Sequence, residues 1–218
     1  MPDDGPYTLR VDSPALAQVV IPVKAFRLAK LRLADVLDPD LRSALARSMA
    51  DHVIAVAAPL PVTVVCEDDE VASWATSAGA EVAWTPGLGL NGAVQEAVEH
   101  LRVRGVARVV VAHADLPFAR ELAVLTDADH DEVLLVPDRR RTGTNVLSVP
   151  TGAGFVFSYG SGSFTRHVAE AEARGLRHRV IDSEFLGWDV DEPDDLAVPA
   201  HLGEGSPLVV DGLLGARP

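Results

Sequence analysis

The chain has 218 residues, enough for one medium-sized domain with a full apolar core. Apolar residues make up 48% and charged residues 23%, a balance that excludes wholesale disorder. Lys and Arg number 19 against 32 Asp and Glu, and the resulting charge of −13 argues against binding a phosphodiester backbone while allowing a small phosphorylated ligand in a local basic pocket.

In chain order, residues 1–12 are polar and residues 1–16 read as a flexible segment, with a start, MPDDGPYTLR, that lacks the basic and apolar parts of a signal peptide. Short β-branched runs predict strands at Ala17–Val23, Pro61–Cys66, Arg108–Ala112 and Glu132–Pro137, with further strands at Asn145–Val149 and Arg177–Ile181. Between them lie helical patterns. Leu41, Leu45, Met49, Val53 and Val56 recur on one face, Val71–Gly79 predicts a short helix, and Val94, Val98 and Leu101 mark another after Asn91. Ser163–Arg174 predicts a helix stopped by Gly175. Alternating strands and helices imply βαβ units and a mainly parallel sheet in an α/β domain over 17–200, with 201–218 as a tail that can drape over the domain or a partner subunit. In such sheets ligands bind beyond the carboxyl ends of the strands.

Five segments carry candidate chemistry. Ile21–Leu33 places Lys24, Arg27, Lys30 and Arg32 just after a strand, a local reversal of sign that suits a triphosphate, although a solvated basic turn explains it as well. Gly87–Ala97 is a glycine-containing loop entering a helix, able to approach a base or phosphate closely, or simply to start that helix. Asp115, after a strand buried on both faces, can hold a divalent cation or act as a turn residue. Thr142, Thr144 and Asn145 on a glycine turn, with Gly160 and Ser163 before a helix, form an anion site or ordinary turn chemistry with Ser163 as N-cap. Asp189 and Asp191, one residue apart, can face one metal or, equally, only cap the following helix, while Asp194 and Asp195 cap the turn that Pro193 starts. His113, His130, His167 and His178 have no metal-ligand spacing. Cys66, the single cysteine, reads as a small core residue, and its isolation excludes a disulfide framework and fits a cytoplasmic protein. No apolar run approaches the ~18 residues of a membrane span, and no dinucleotide fingerprint or Walker loop is present.

The order of these segments is more informative than any one of them. A basic loop, Gly-Leu-Asn, Asp-Leu-Pro, Thr-Gly-Thr-Asn, Gly-x-x-Ser and Asp-Val-Asp with proline resembles the guanylyltransferases of coenzyme F-420 biosynthesis, over roughly residues 17–197. The resemblance implies a single-domain, Rossmann-like nucleotidyltransferase of GT-A type, an α/β/α sandwich of three layers. It implies GMP transfer from GTP to phosphoenolpyruvate or 2-phospho-L-lactate with release of pyrophosphate. Carried over by motif, Asp115, Asp189 and Asp191 would hold magnesium, in all two ions. Lys24, Lys30 and Arg32 would act on the triphosphate, Leu90 and Asn91 would line the guanine pocket, and Thr144, Gly160 and Ser163 would hold the three-carbon acid. A homodimer, and hand-off of a labile product to the next pathway enzyme, are compatible with it. The Ala-, Arg- and Val-rich composition is that of a GC-rich bacterial source, which within the resemblance favours phosphoenolpyruvate. The competing readings are another nucleotidyltransferase acting on a sugar phosphate or molybdopterin, a GT-A glycosyltransferase, and a non-catalytic α/β interaction module. Arg139, Arg140 and Arg141 have no assigned role at this level.

Overall fold

A computed structural model describes residues 16–203 and 215–216. The expectations for the flexible start and most of the tail therefore lie outside the described residues. Seven strands form one sheet: β1 (Ala17–Pro22), β2 (Val62–Cys66), β3 (Glu81–Trp84), β4 (Arg108–Ala112), β5 (Glu132–Pro137), β6 (Thr144–Pro150) and β7 (Arg177–Val180), in the order β3-β2-β1-β4-β6-β5-β7. The helices are α1 (Pro39–Val56), α2 (Asp69–Ser77), α3 (Gly89–Val103), α4 (Ser163–Ala173) and the short α5 (Ala200–Gly203).

Alternation along the strands builds the two faces. Val19, Ile21, Val64, Cys66, Val110 and Ala112 pack with α1 and α2 on one side. Val20, Val65, Val109 and Val111 pack with α3 and α4 on the other. The result is the expected three-layer sandwich, with strands buried on both faces. A third cluster joins Leu33, Leu45, Met49, Phe118, Val190, Val198 and Leu202. It seals the loop after β1 and the loop after β4 to the segment around residue 190. Leu202 is buried in it, so ordered packing continues past residue 200.

Several local expectations are corrected. Of the expected α1 face, Leu45, Met49 and Val53 are buried and Val56 is half-buried, but Leu41, in the first turn, is 45% exposed, and Arg42, Ala46 and Ala50 complete the buried stripe. β3 was not legible as a strand: it has four residues at the sheet edge, none fully buried. Ser163 is not the cap of α4 but its first residue; Gly162 caps it with a left-handed φ of 75°. β6 is not part of a βαβ unit. It pairs antiparallel with both β4 and β5, and it follows β5 through a loop with no helix. This reversal matters for the site. The other six strands run one way, so only β6 places its first residue, Thr144, at the edge where β1, β4 and β5 end.

Candidate active site

The strand order turns back between β1 and β4, which is where open α/β sheets bind ligands. The loop after β1 carries the cations and the loop after β4 carries Asp115. Two short 3-10 turns, Phe26–Leu28 and Leu31–Leu33, shape the cationic loop, and Lys30 joins them in a left-handed conformation with φ of 54°. That backbone turn aims the ammonium inward. Lys30 Nζ donates to Asp115 Oδ2 at 2.6 Å and to Asp191 Oδ1 at 3.0 Å, with its side chain only 9% exposed. Burial alone would lower the Lys30 pKa, but Asp115 and Asp191 hold it above its ordinary value. Likewise burial opposes ionisation of Asp115, and Lys30 keeps its carboxyl below the usual range. Arg32 lies outside this pair, 3.9 Å from Asp191 Oδ2 and open to solvent. Lys24 is exposed, near enough to act on the charge of His113. Arg27 turns away and pairs with Asp68.

Asp189 completes the acidic group. Burial, then the charges of Asp115 and Asp191, push its pKa up to about 7. The buried Oδ1 atoms of Asp115 and Asp189 have no hydrogen-bond partner among the described residues. A backbone bond from Val190 N–H to the Asp115 carbonyl at 3.2 Å ties the two acidic segments together. Among the described residues, no three Asp, Glu, His or Cys side chains are already grouped to hold a metal ion, and the Lys30 ammonium lies between two of the acids. The donor set still suits a hard divalent cation: it is all carboxylate oxygen, two atoms are unpartnered, and one carboxyl ionises reluctantly beside its neighbours.

The segment bearing Asp189 and Asp191 is held from behind. Asp195 is fully buried; its Oδ2 accepts from the Asp191 and Glu192 amides at 2.7 and 2.8 Å, and its other oxygen pairs with Arg139 and with Arg140 at 2.9 Å. Burial disfavours the Asp195 charge, yet Arg139 and these amides hold its pKa down. Arg139 also donates to the Asp189 carbonyl at 3.3 Å and lies 4.3 Å from the centre of the Trp188 ring. Arg141 turns the other way and pairs with Asp182. The arginine run thus clamps the acidic segment. Its sequence signal was present: a basic run in an acidic chain needs carboxylate partners. Gly187 is required there, since a Cβ would sit 2.7 Å from the Ser183 carbonyl.

The second half of the site is the turn before α4. Gly160 has φ of 110°, which favours glycine, and Ser163 N–H donates to its carbonyl at 2.9 Å. Arg166 gathers the carbonyls of Ser158 and Ser161 at 2.7 and 2.6 Å. Thr144 and Ser163 are buried. Ser158 N–H donates to His167 Nε2 at 2.9 Å, so the imidazole proton resides on Nδ1, which donates to Thr144 Oγ1 at 3.0 Å. The Thr144 hydroxyl proton is left to donate elsewhere. Burial, then Arg166 and His113, lower the His167 pKa to about 4. Asn91 does not present a free amide: its Oδ1 accepts from Tyr159 N–H at 2.6 Å and its Nδ2 donates to the Tyr159 carbonyl at 3.3 Å. Leu90 packs partly against the core beneath it. Asn145 is likewise structural, its amide donating to the Leu186 carbonyl at 3.0 Å. Asp195 caps the Pro193 turn as its spacing predicts, accepting from the Glu192 amide, whereas its pairing with Arg139, 56 residues away, and the pairing of His167 with Thr144, 23 residues away, have no local signal.

Residues 17–206 match the family model described as "Guanylyl transferase CofC like". The phosphoenolpyruvate guanylyltransferase of Sphaerobacter thermophilus is 36% identical, over 81% of this chain and 89% of that protein. That of Chloroflexus aggregans is 34% identical, over 82% and 94%. The 2-phospho-L-lactate guanylyltransferase of Methanocaldococcus fervens is 29% identical, over 82% of each. In fold, the chain is similar to a Desulfovibrio desulfuricans protein assigned to the nucleotide-diphospho-sugar transferases, with a TM-score of 0.71 over 89% of this chain and 90% of the other at 18% identity. No helix among the described residues is long and apolar enough to cross a membrane. With a cationic loop after β1 meeting acids from the ends of two distant segments, and with its sequence matched from the first strand to beyond the last helix, this chain belongs to the CofC-like guanylyl transferase family.

Proposed function

We propose that this chain transfers GMP from GTP to phosphoenolpyruvate, releasing pyrophosphate, within coenzyme F-420 biosynthesis. The observation that carries the reading is the meeting of Lys30 with Asp115 and Asp191, beside an Asp189 that ionises reluctantly. Phosphoenolpyruvate is favoured over 2-phospho-L-lactate because the relatives named for it are 34–36% identical, against 28–29% for those named for the lactate.

A phosphate oxygen of the acid attacks the α-phosphorus of GTP, and the bond to pyrophosphate breaks. Both reactants are anions, so the barrier is set by bringing like charges together in line. Lys30 spends two of its three N–H donors on Asp115 and Asp191 and keeps one for a phosphate oxygen. Lys24 and Arg32, both exposed, supply mobile positive charge for the pyrophosphate as it leaves. Asp115, Asp189 and Asp191 would hold magnesium, in all two ions, which when bound offsets phosphate charge and aligns attacking and leaving oxygens. No side chain needs to remove a proton, because a phosphate monoester is already ionised near neutral pH. Thr144, Gly160 and Ser163 bind the acid at the turn that Arg166 fastens, and the base is bordered by Leu90 and the Asn91 backbone, the Asn91 side chain being bound to Tyr159.

The test is to incubate the protein with GTP, magnesium and each acid in turn and to measure pyrophosphate release. Release with phosphoenolpyruvate is expected. Release only with a sugar phosphate, or none with either acid, sinks the reading.

A further inference from the structure

Among the described residues, six buried side-chain N or O atoms lack a hydrogen-bond partner, and four of them belong to this one region: Asp115 Oδ1, Asp189 Oδ1, His113 Nε2 and the Tyr159 hydroxyl. The two carboxylate atoms suit a cation. The other two have a different chemistry. A phenol O–H is a neutral donor, and an imidazole Nε2 can be one.

Tyr159 is 5% exposed and firmly seated. Its backbone is bonded both ways to Asn91, and its ring centre lies 5.0 Å from that of His113 and 4.9 Å from that of His167. A phenylalanine would pack there equally well. The hydroxyl therefore sits buried without a partner among the described residues, a condition that disfavours the fold unless something answers it. Burial raises its pKa, so it stays protonated and remains a donor. The placement of the pair is also informative. Tyr159 directly precedes Gly160 in the acid-binding turn, and His113 lies two residues before Asp115. Asp115 and Asp191, with Lys30 and Lys24, are all close enough to act on the charge of His113. His113 thus adjoins the acidic group, Tyr159 adjoins the turn, and the 5.0 Å between their ring centres joins the two.

We propose that His113 Nε2 and the Tyr159 hydroxyl together hydrogen-bond the carboxylate of the acceptor acid and so help select it. The inference rests on the function proposed above. In such an acid the carboxylate and the phosphate-bearing oxygen share one carbon. If the phosphate lies against the acidic group, the carboxylate is carried to its border, where the aspartates would repel it. Neutral donors bind it there without drawing off the cation that those aspartates attract.

The experiment measures pyrophosphate release and KM for both substrates in wild type, Tyr159→Phe, His113→Leu and His113→Gln, with melting temperatures taken without ligand. Tyr159→Phe and His113→Leu should raise KM for phosphoenolpyruvate by about tenfold or more, the scale of one lost hydrogen bond to a charged group, and change KM for GTP less than twofold. His113→Gln, which returns an amide N–H near the Nε2 position, should recover most of the loss. Tyr159→Phe should melt at or above the wild-type temperature; a purely structural hydroxyl would instead make it melt lower. An unchanged acid KM, equal rises in both KM values, or a loss explained by a lower melting temperature overturns the assignment alone. A wild type that uses neither acid overturns it together with the guanylyl-transfer reading.

Discussion

The two edges of the sheet treat buried polar groups in opposite ways. At the edge where most strands begin, Arg108 donates to Ser148 Oγ at 3.1 Å and to the carbonyls of Asp129 and Glu132 at 2.6 and 3.0 Å. Ser148 passes its own proton to the Leu125 carbonyl at 2.7 Å, and Gln18 donates to Thr63 Oγ1 at 2.7 Å. At the edge where those strands end, Asp115, Asp189, His113 and Tyr159 each keep an unpartnered buried atom. One network closes upon itself and holds the fold. The other leaves donors and acceptors open to a ligand, an ion or ordered water.

The difference can be broken from either side. The largest expected effect is Arg108→Ala, which empties a buried site and strands two carbonyls. We expect a loss of about 3 to 4 kcal/mol in urea unfolding with kcat per folded molecule unchanged; a fall in kcat beyond the unfolded fraction would mean that the two edges are coupled.

Next is pH. The folded pKa of His167 lies near 4, below its ordinary 6.5, so the unfolded chain binds more protons between these values. Stability from this group is complete above pH 6.5 and drains away as the pH falls towards 4, by roughly 3 kcal/mol. Unfolding curves of wild type and His167→Gln across that window should diverge by this amount. Parallel curves would show that the imidazole is not buried as a neutral partner of Thr144.

Asp189→Asn should lower turnover about a hundredfold, or roughly 2.7 kcal/mol of barrier, while costing little stability in magnesium-free buffer at pH 8. The substitution removes a charge that burial, Asp115 and Asp191 all oppose. Near-wild-type turnover across magnesium concentrations would remove Asp189 from the metal set.

The smallest effect belongs to Asn91→Ala. Loss of its two bonds to the Tyr159 backbone should cost about 1 kcal/mol of stability and raise KM for the acid more than KM for GTP. The reverse ranking would return the Asn91 side chain to the guanine pocket.

Much of the scaffold is written in local sequence. Continuous β-branched runs such as Val109–Ala112 announce strands covered on both faces, and Gly175 marks the end of α4 through a left-handed φ of 66°. The short edge strand β3 escaped because partial burial leaves no strong pattern. Within the site, the Asp-Val-Asp pair and the cationic loop stood out by spacing and charge. Lys30 could be named a cation for phosphate, but its insertion between Asp115 and Asp191 depends on separations of 85 and 161 residues that no local pattern encodes. Asn91 was named for the base, whereas its amide is occupied by Tyr159 across 68 residues.

Periodicity and composition alone therefore determined the layers, the direction of most strands and the edge at which chemistry would gather, because burial and backbone geometry act over a few neighbouring residues. Tertiary structure decided the reversal of β6 that brings Thr144 to that edge, the Arg139–Asp195 clamp behind the acids, and which polar atoms stay open. Those outcomes depend on pairwise distances between remote segments, and a hydrogen bond exists only when both ends arrive within about 3 Å.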